Sequence, residues 1–245
     1  MILFVSDMHF GRGASRASED ALISCLRTHA REASRLYLLG DVFDAYIEYR
    51  RLIPKGCTRF LALLAEWSDR GIPVTYLVGN HDPWHRDYFE KELGVRIVYD
   101  AVVEAVNGHV LYLHHGDGIA KRGALYRFLK PVLRHPVPVW LYRILIPGDA
   151  GLALAQWVNR RLESGAPDLE VARALRGRAR RILADSSASL VVMGHTHVAE
   201  QLAWPEGIYL NTGSWLDGRT FGVLDGQDVG LMRWNGTQAE PVLVT

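Results

Sequence analysis

Cysteine is scarce: the 245-residue chain has two, Cys25 and Cys57, set far apart in no metal or redox spacing. That argues against a disulfide scaffold and a thiolate zinc site, and fits a reducing compartment. Long apolar runs are also missing. No stretch approaches the roughly 18 residues needed to span a bilayer, and the opening run, Met1 to Ser6, is too short for a signal peptide. The expectation is a cytoplasmic chain that is dissolved or lies on a membrane surface. A charge excess of one sign is the third absence. With 28 Lys+Arg against 27 Asp+Glu the formal charge is +1, without the basic surplus of a nucleic-acid binder, so no nucleic-acid partner is expected. What is present is an evenly spread apolar fraction of 49%, enough for a single core over residues 1–245.

Short apolar runs recur at Met1 to Ser6, Leu36 to Leu39, Val74 to Val78, Val110 to Leu113 and Leu190 to Met193, and each reads as a buried strand. Segments of helical length, Glu19 to Ala33 and Thr58 to Arg70, separate the first three, so the N-terminal half alternates strand and helix as in an open α/β sheet. The last sixty residues or so differ. Short runs at Ile208 to Leu210, Phe221 to Leu224, Val229 to Trp234 and Pro241 to Val244 are divided by Gly, Asp and Asn turn signals, which predicts antiparallel strands.

The near-zero charge hides an asymmetry. Between Ile119 and Ile182 thirteen basic residues oppose four acidic ones, a net +9 that leaves −8 for the remainder. The first part of this segment, including Leu125, Tyr126, Phe128, Leu129, Trp140, Leu141, Ile144 and Leu145, is rich in large apolar side chains and broken by four prolines between 131 and 147. It reads as short amphipathic helices inserted between two core strands.

Five polar clusters follow the strand-like runs: Asp7-Met8-His9, Gly40-Asp41, Gly79-Asn80-His81-Asp82, His115-Gly116-Asp117 and Gly194-His195-Thr196-His197. In an open α/β sheet, ligands gather outside the carboxyl ends of the strands, so residues nearly two hundred positions apart can converge there. Asp7 and His9 are two apart, which in extended backbone points both side chains the same way, and His195 and His197 repeat the spacing. Carboxylate, imidazole and amide donors without thiolate suit Mn²⁺, Fe²⁺ or Zn²⁺, and a single Asp41 carboxylate offers a bridge between two such ions. Each cluster alone is an ordinary turn. Five of them, each closing a strand, are not.

In this order the clusters resemble the calcineurin-like metallophosphoesterases, whose signature is Asp-x-His, Gly-Asp, Gly-Asn-His-Asp/Glu, a later His and Gly-His-x-His. The resemblance extends from Asp7 to His197 and on through Asn211-Thr212-Gly213-Ser214. It implies an αββα fold: α/β, a two-sheet β-sandwich flanked by helices. It implies two divalent metal ions, manganese first and iron or zinc after it, one held by Asp7, His9, Asp41 and His197 and the other by Asp41, Asn80, His115 and His195. His81 would contact a phosphoryl oxygen or protonate the leaving oxygen, with Asp82 orienting its ring. Of the adjacent pair His114 and His115, the motif selects His115. Arg12, in the loop after the first cluster, is a candidate phosphate contact.

Within the family, the length and the inserted basic segment resemble the lipid A pathway pyrophosphatases that cleave UDP-2,3-diacylglucosamine to UMP and a lipid monophosphate. That resemblance implies a helical lid over about 119–165, acyl contacts from Tyr126, Phe128 and Leu129, a nucleotide-linked lipid substrate and peripheral contact with the inner face of the cytoplasmic membrane. The chain departs from the best-known branch in carrying His81 where those proteins have Arg. Two other readings stay open: a metallophosphodiesterase or phosphatase for a soluble nucleotide, and a non-catalytic scaffold. The second has no physical reason to keep seven polar groups converging.

Overall fold

The structure, a computed structural model, describes residues 1–13, 15–119, 134–162 and 169–242. Tyr126, Phe128 and Leu129, expected to contact acyl chains, lie outside them.

Strand β1 (Ile2–Val5) is buried at every position, as a central strand covered on both faces must be. It pairs in parallel with β2 (Arg35–Leu38), which pairs with β3 (Val74–Leu77) and then β4 (Arg96–Val98). Helix α1 (Ser15–His29) crosses from β1 to β2 and α2 (Thr58–Asp69) from β2 to β3, with the short α3 (Tyr88–Leu93) before β4. On the other side of β1, β10 (Thr220–Asp225), β11 (Asp228–Trp234) and β12 (Ala239–Pro241) continue the sheet antiparallel, giving seven strands.

A second sheet of five strands has the order β5 (Val102–Val106), β6 (His109–Leu113), β7 (Leu190–Met193), β9 (Gly207–Thr212), β8 (Ala199–Trp204). The pairs β6–β7 and β7–β9 are parallel. Between β6 and β7 the chain forms α4 (Pro136–Leu145), α5 (Gly148–Leu162) and α6 (Leu169–Asp185). A last helix among the described residues, α7 (Trp215–Gly218), follows β9.

Alternation of side chains along the strands divides the apolar residues into layers. Ile2, Phe4, Tyr37, Leu39, Leu113 and Val192 fill the space between the two sheets. Leu3, Val5, Leu36 and Leu38 face α1 and α2 with Leu26, Phe60, Leu64 and Trp67. On the opposite outer face, Leu175, Ala179 and Leu183 of α6 cover Val191 and Met193. The sandwich flanked by helices is therefore the observed fold.

Two expectations need correction. The C-terminal strands are not one antiparallel set, because β9 lies parallel to β7 in the small sheet while β10, β11 and β12 return to the large one. Turn signals separate strands without saying which neighbour each strand takes. The first helix also begins and ends earlier than expected, since after His29 the chain turns back and Ser34 N donates to Met1 O at 2.8 Å.

Candidate metal centre

β1, β2, β3, β6 and β7 each end in one of the five polar clusters, and bonds between neighbouring strand ends of each sheet hold the clusters side by side. Asp7 N donates to Gly40 O (3.1 Å), His9 N to Asp41 O (3.0 Å) and Gly194 N to His115 O (3.0 Å). The turn after β9 braces them: Trp215 N donates to Ser6 O and Leu216 N to Asp7 O, both at 3.2 Å. Asn211 supports the histidine turn through Nδ2, which donates to Gly194 O (3.0 Å) and Thr196 Oγ1 (3.1 Å).

The backbone at these turns is left-handed. Among the described residues eight non-glycine positions have positive φ, and five of them are Asp7 (54°), His9 (45°), Asp41 (51°), His195 (71°) and His197 (58°). Strain of this kind persists where surrounding structure over-determines it, and it concentrates at functional sites. It also replaces the reason given for convergence. Asp7 and His9 lie beyond the end of β1 and are not extended, so tight left-handed turns, rather than strand alternation, aim both side chains inward. Glycine makes the close approach possible: a Cβ at Gly79 would lie 2.1 Å from Asp41 Oδ1, and one at Gly40, whose φ is +88°, would lie 2.5 Å from His115 Nδ1.

Each carboxylate uses one oxygen to hold backbone and turns the other inward. Asp7 Oδ2 accepts from Ser6 Oγ and from His195 N (2.9 Å), while Oδ1 is buried without a hydrogen bond. His197 Nε2 stands 3.4 Å from that oxygen and His9 Nε2 3.9 Å, with the two imidazole nitrogens 3.2 Å apart. Asp41 Oδ1 accepts from His81 N (2.8 Å), and Asp41 Oδ2 faces His115 Nε2 at 3.3 Å and His81 Nε2 at 4.0 Å. His115 Nε2 is also 3.3 Å from Asn80 Oδ1. Ligand atoms lie within 4.8 Å of one another in three sets: Asp7, His9 and His197; His9, Asp41 and His81; Asp41, His115 and His195. Asp41 belongs to two of them.

The ring orientations are set from behind, as in metal sites where the second imidazole nitrogen is bonded to carbonyl or carboxylate. His115 Nδ1 bonds to Leu39 O (2.7 Å) and His197 Nδ1 to Asp217 Oδ2 (2.9 Å), an oxygen that also accepts from Ser214 Oγ (2.7 Å). His114 turns away, its Nδ1 accepting from Gly116 N at 2.8 Å.

Charge follows the same layout. Burial works to raise the Asp7 and Asp41 carboxyls, but the histidines facing them more than offset it and hold both below the ordinary carboxylate range. Burial likewise works to lower His115 and His197, yet their carboxylate partners lift both rings to about 10. For His9 burial prevails and lowers it to about 4, leaving a neutral imidazole. A divalent cation fits this cage: an unbonded buried carboxylate oxygen, imidazole nitrogens crowded toward one another and an amide oxygen form a hard-to-borderline donor set without sulfur.

All seven expected ligands, with His81, thus stand at one place. Asp82 does not orient His81. Asp82 Oδ2 accepts from Val42 N (2.7 Å) and the Tyr76 hydroxyl, and Oδ1 from Gly79 N (2.8 Å), so this buried carboxyl pins the second and third turns together. Burial raises it to about 6. The acceptor for His81 Nδ1 is Asp44 O at 3.1 Å. Arg12 grips the Asp44 carboxylate from Nε (2.7 Å) and Nη2 (2.5 Å), at the rim of the site. Asp44 and Asp217 escaped the sequence reading, although Asp44 follows Asp41 by three residues, and Ser214 entered it only as the end of the Asn-Thr-Gly-Ser stretch, without its bond to Asp217.

This geometry suits divalent-metal binding, and the chain belongs to the calcineurin-like phosphoesterase family, whose pattern matches residues 1–199. Among similar proteins are three named UDP-2,3-diacylglucosamine hydrolase. The one from Porphyromonas gingivalis is 36% identical over 152 residues, 60% of this chain and 57% of that protein. The one from Pseudomonas fluorescens is 33% identical over 145 residues, 59% of this chain and again 57% of the relative. The one from Pseudomonas syringae pv. tomato is 30% identical over 199 residues, 80% of this chain and 79% of the relative. The match thus spans little more than half the length of the first two. Among solved structures the phosphoesterase Yfce from E. coli shares the fold, with a TM-score of 0.51 and 15% identity over 97% of this chain and 95% of that one.

Proposed function

We propose that this protein is a metal-dependent pyrophosphohydrolase that cleaves UDP-2,3-diacylglucosamine into UMP and the lipid monophosphate. The observation that carries the reading is the cage at the strand ends, in which two buried carboxylates and facing imidazoles leave acceptor atoms pointing at one another. The substrate rests on the names of the relatives. Asp7, His9, Asp41 and His197 would hold one divalent ion and Asp41, Asn80, His115 and His195 a second, with manganese the first choice. Bound there, such ions would supply an activated water and charge neutralisation of the phosphate oxygens during in-line attack.

The chain's own groups do the rest. Ser6 and the His195 amide keep Asp7 in place, and Leu39 O and Asp217 fix the tautomers of His115 and His197 so that Nε2 faces the pocket. His81 holds its Nδ1 proton on Asp44 O, which directs Nε2 toward the substrate phosphate for contact or for proton delivery to the departing oxygen. Water adds to one phosphorus, the anhydride P–O bond breaks, and both fragments leave as phosphate monoesters.

The acylated end of the substrate accords with α4 and α5. Val137, Trp140, Leu141, Ile144 and Leu145 on α4, with Leu154 and Trp157 on α5, are exposed apolar side chains, and the surrounding segment carries the +9 charge excess. We assign these helices, as the described part of a lid over about 119–165, to the acyl chains and an anionic bilayer surface. No described helix is long and apolar enough to cross a membrane.

The test is ³¹P product analysis of manganese-loaded protein given UDP-2,3-diacylglucosamine or simple nucleotides. UMP with the lipid monophosphate is the expected result. Turnover of a soluble nucleotide without UMP from the acylated substrate would establish the soluble-nucleotide reading instead.

A further inference from the structure

The α4–α5 hairpin is fastened to the loops of the metal centre through their backbone carbonyls. Arg143 Nη2 donates to Trp84 O (2.9 Å) and His85 O (3.3 Å), and the Tyr142 ring meets Trp84 edge-on at 4.6 Å. These contacts fall beyond the Gly-Asn-His-Asp turn and touch no ligand. A further tie is different in kind. Asn159 Nδ2, on α5, donates to Asp44 O at 2.5 Å, and that oxygen is the one His81 Nδ1 uses at 3.1 Å. A carbonyl oxygen has two lone pairs and accommodates both donors.

The rest of Asp44 is already fixed. Its amide donates to Phe10 O at 3.0 Å and its carboxylate is gripped by Arg12. The carbonyl is what still needs holding, because rotation of the 44–45 peptide plane would swing the acceptor away from the His81 ring. Asparagine is a poor helix former, and at this interior position of α5 its amide is spent on a residue 115 positions away.

We propose that Asn159 is a positioning residue for His81, holding through Asp44 O the orientation in which His81 Nε2 faces the pocket. This rests on the role given to His81 above. The lid hairpin then does more than cover substrate: its seating on Asp44 sets the aim of a group in the reaction centre. Displacement of a reacting group by an ångström reduces rate by up to about 10²-fold, and loss of one of two supports for such a group is assigned about tenfold.

The test uses the full chain loaded with manganese, with bis(p-nitrophenyl) phosphate as substrate. Asn159→Asp keeps the shape but cannot donate at neutral pH, and Asn159→Ala is the second variant; each is compared alone and combined with His81→Ala. The expected result is a drop of about tenfold in kcat with KM changed less than about twofold, and no further drop when either substitution is added to His81→Ala. Wild-type kcat in both Asn159 variants, or the same fold-loss with and without His81, would overturn the tie. Full activity in His81→Ala alone would overturn the role of His81 and leave the tie to a second readout. That readout is ring-nitrogen NMR of the metal-free protein: one Nδ1–H tautomer for His81 in wild type and a mixture in Asn159→Asp supports the tie, and identical spectra refute it.

Discussion

The strand-end turns and the α4–α5 hairpin use the same chain for opposite purposes. At the turns, Asp7, His9, Asp41 and His115 are buried, polar and in part left-handed, and the rear atoms of Asp7, Asp41 and His115 are bonded to backbone. On the hairpin, helices of ordinary geometry leave Trp140, Ile144 and Leu145 between 58% and 71% exposed. The first region departs from what burial favours in charge, the second in apolarity. The first departure suits the divalent cation and the second the lipid surface proposed above.

The largest test of this contrast is Asp41→Ala. Asp41 faces both sets of imidazoles, so its loss is expected to lower phosphodiester turnover by about 10³-fold and to reduce bound manganese measured by elemental analysis. Near-normal turnover would remove Asp41 from the centre. A smaller effect is expected at Asp217→Ala. That carboxylate touches His197 from behind and is drawn down to about 2, first by its bond with that ring. Its removal should weaken manganese binding by about 10- to 100-fold in a metal titration while the fold, followed by circular dichroism, stays intact. Unchanged affinity would leave Asp217 only as the acceptor of the Ser214 hydroxyl.

The smallest effect on the folded protein is expected on the hairpin. Trp140→Ser with Ile144→Ser alters exposed positions and should leave urea stability within about 0.5 kcal/mol. Flotation with anionic vesicles should fall by about tenfold in the same variant. Lost stability with unchanged flotation would make this face a packing surface and dissolve the contrast.

The convergence of the strand-end donor residues was legible because their residue types are unusual beside buried strands and recur five times in order. Asp44, Asp217 and Asn159 were not. Asp217 and Asp44 bond a histidine across 20 and 37 positions and Asn159 bonds Asp44 O across 115, and no local pattern marks a carboxylate or amide as the partner of a distant ring or carbonyl. Asp82 was misread for a related reason: it adjoins His81 in sequence, but its oxygens close on Val42, Gly79 and Tyr76. Strands β5 and β8 were likewise missed, since Val102–Val106 and Ala199–Trp204 mix exposed and buried positions and lack the continuous apolar runs of the central strands.

The amino-acid order by itself determined which groups are available for chemistry and that they stand where strands end, because apolar runs, turn residues and metal donors are local properties. It also determined that residues 119–182 carry the positive charge. Only the tertiary structure decided that β9 returns beside β7, that left-handed turns and not extended backbone aim Asp7 and His9, and that α5 reaches Asp44. Those outcomes depend on how two sheets and their covering helices bury apolar surface together, and that balance is settled among distant segments at once.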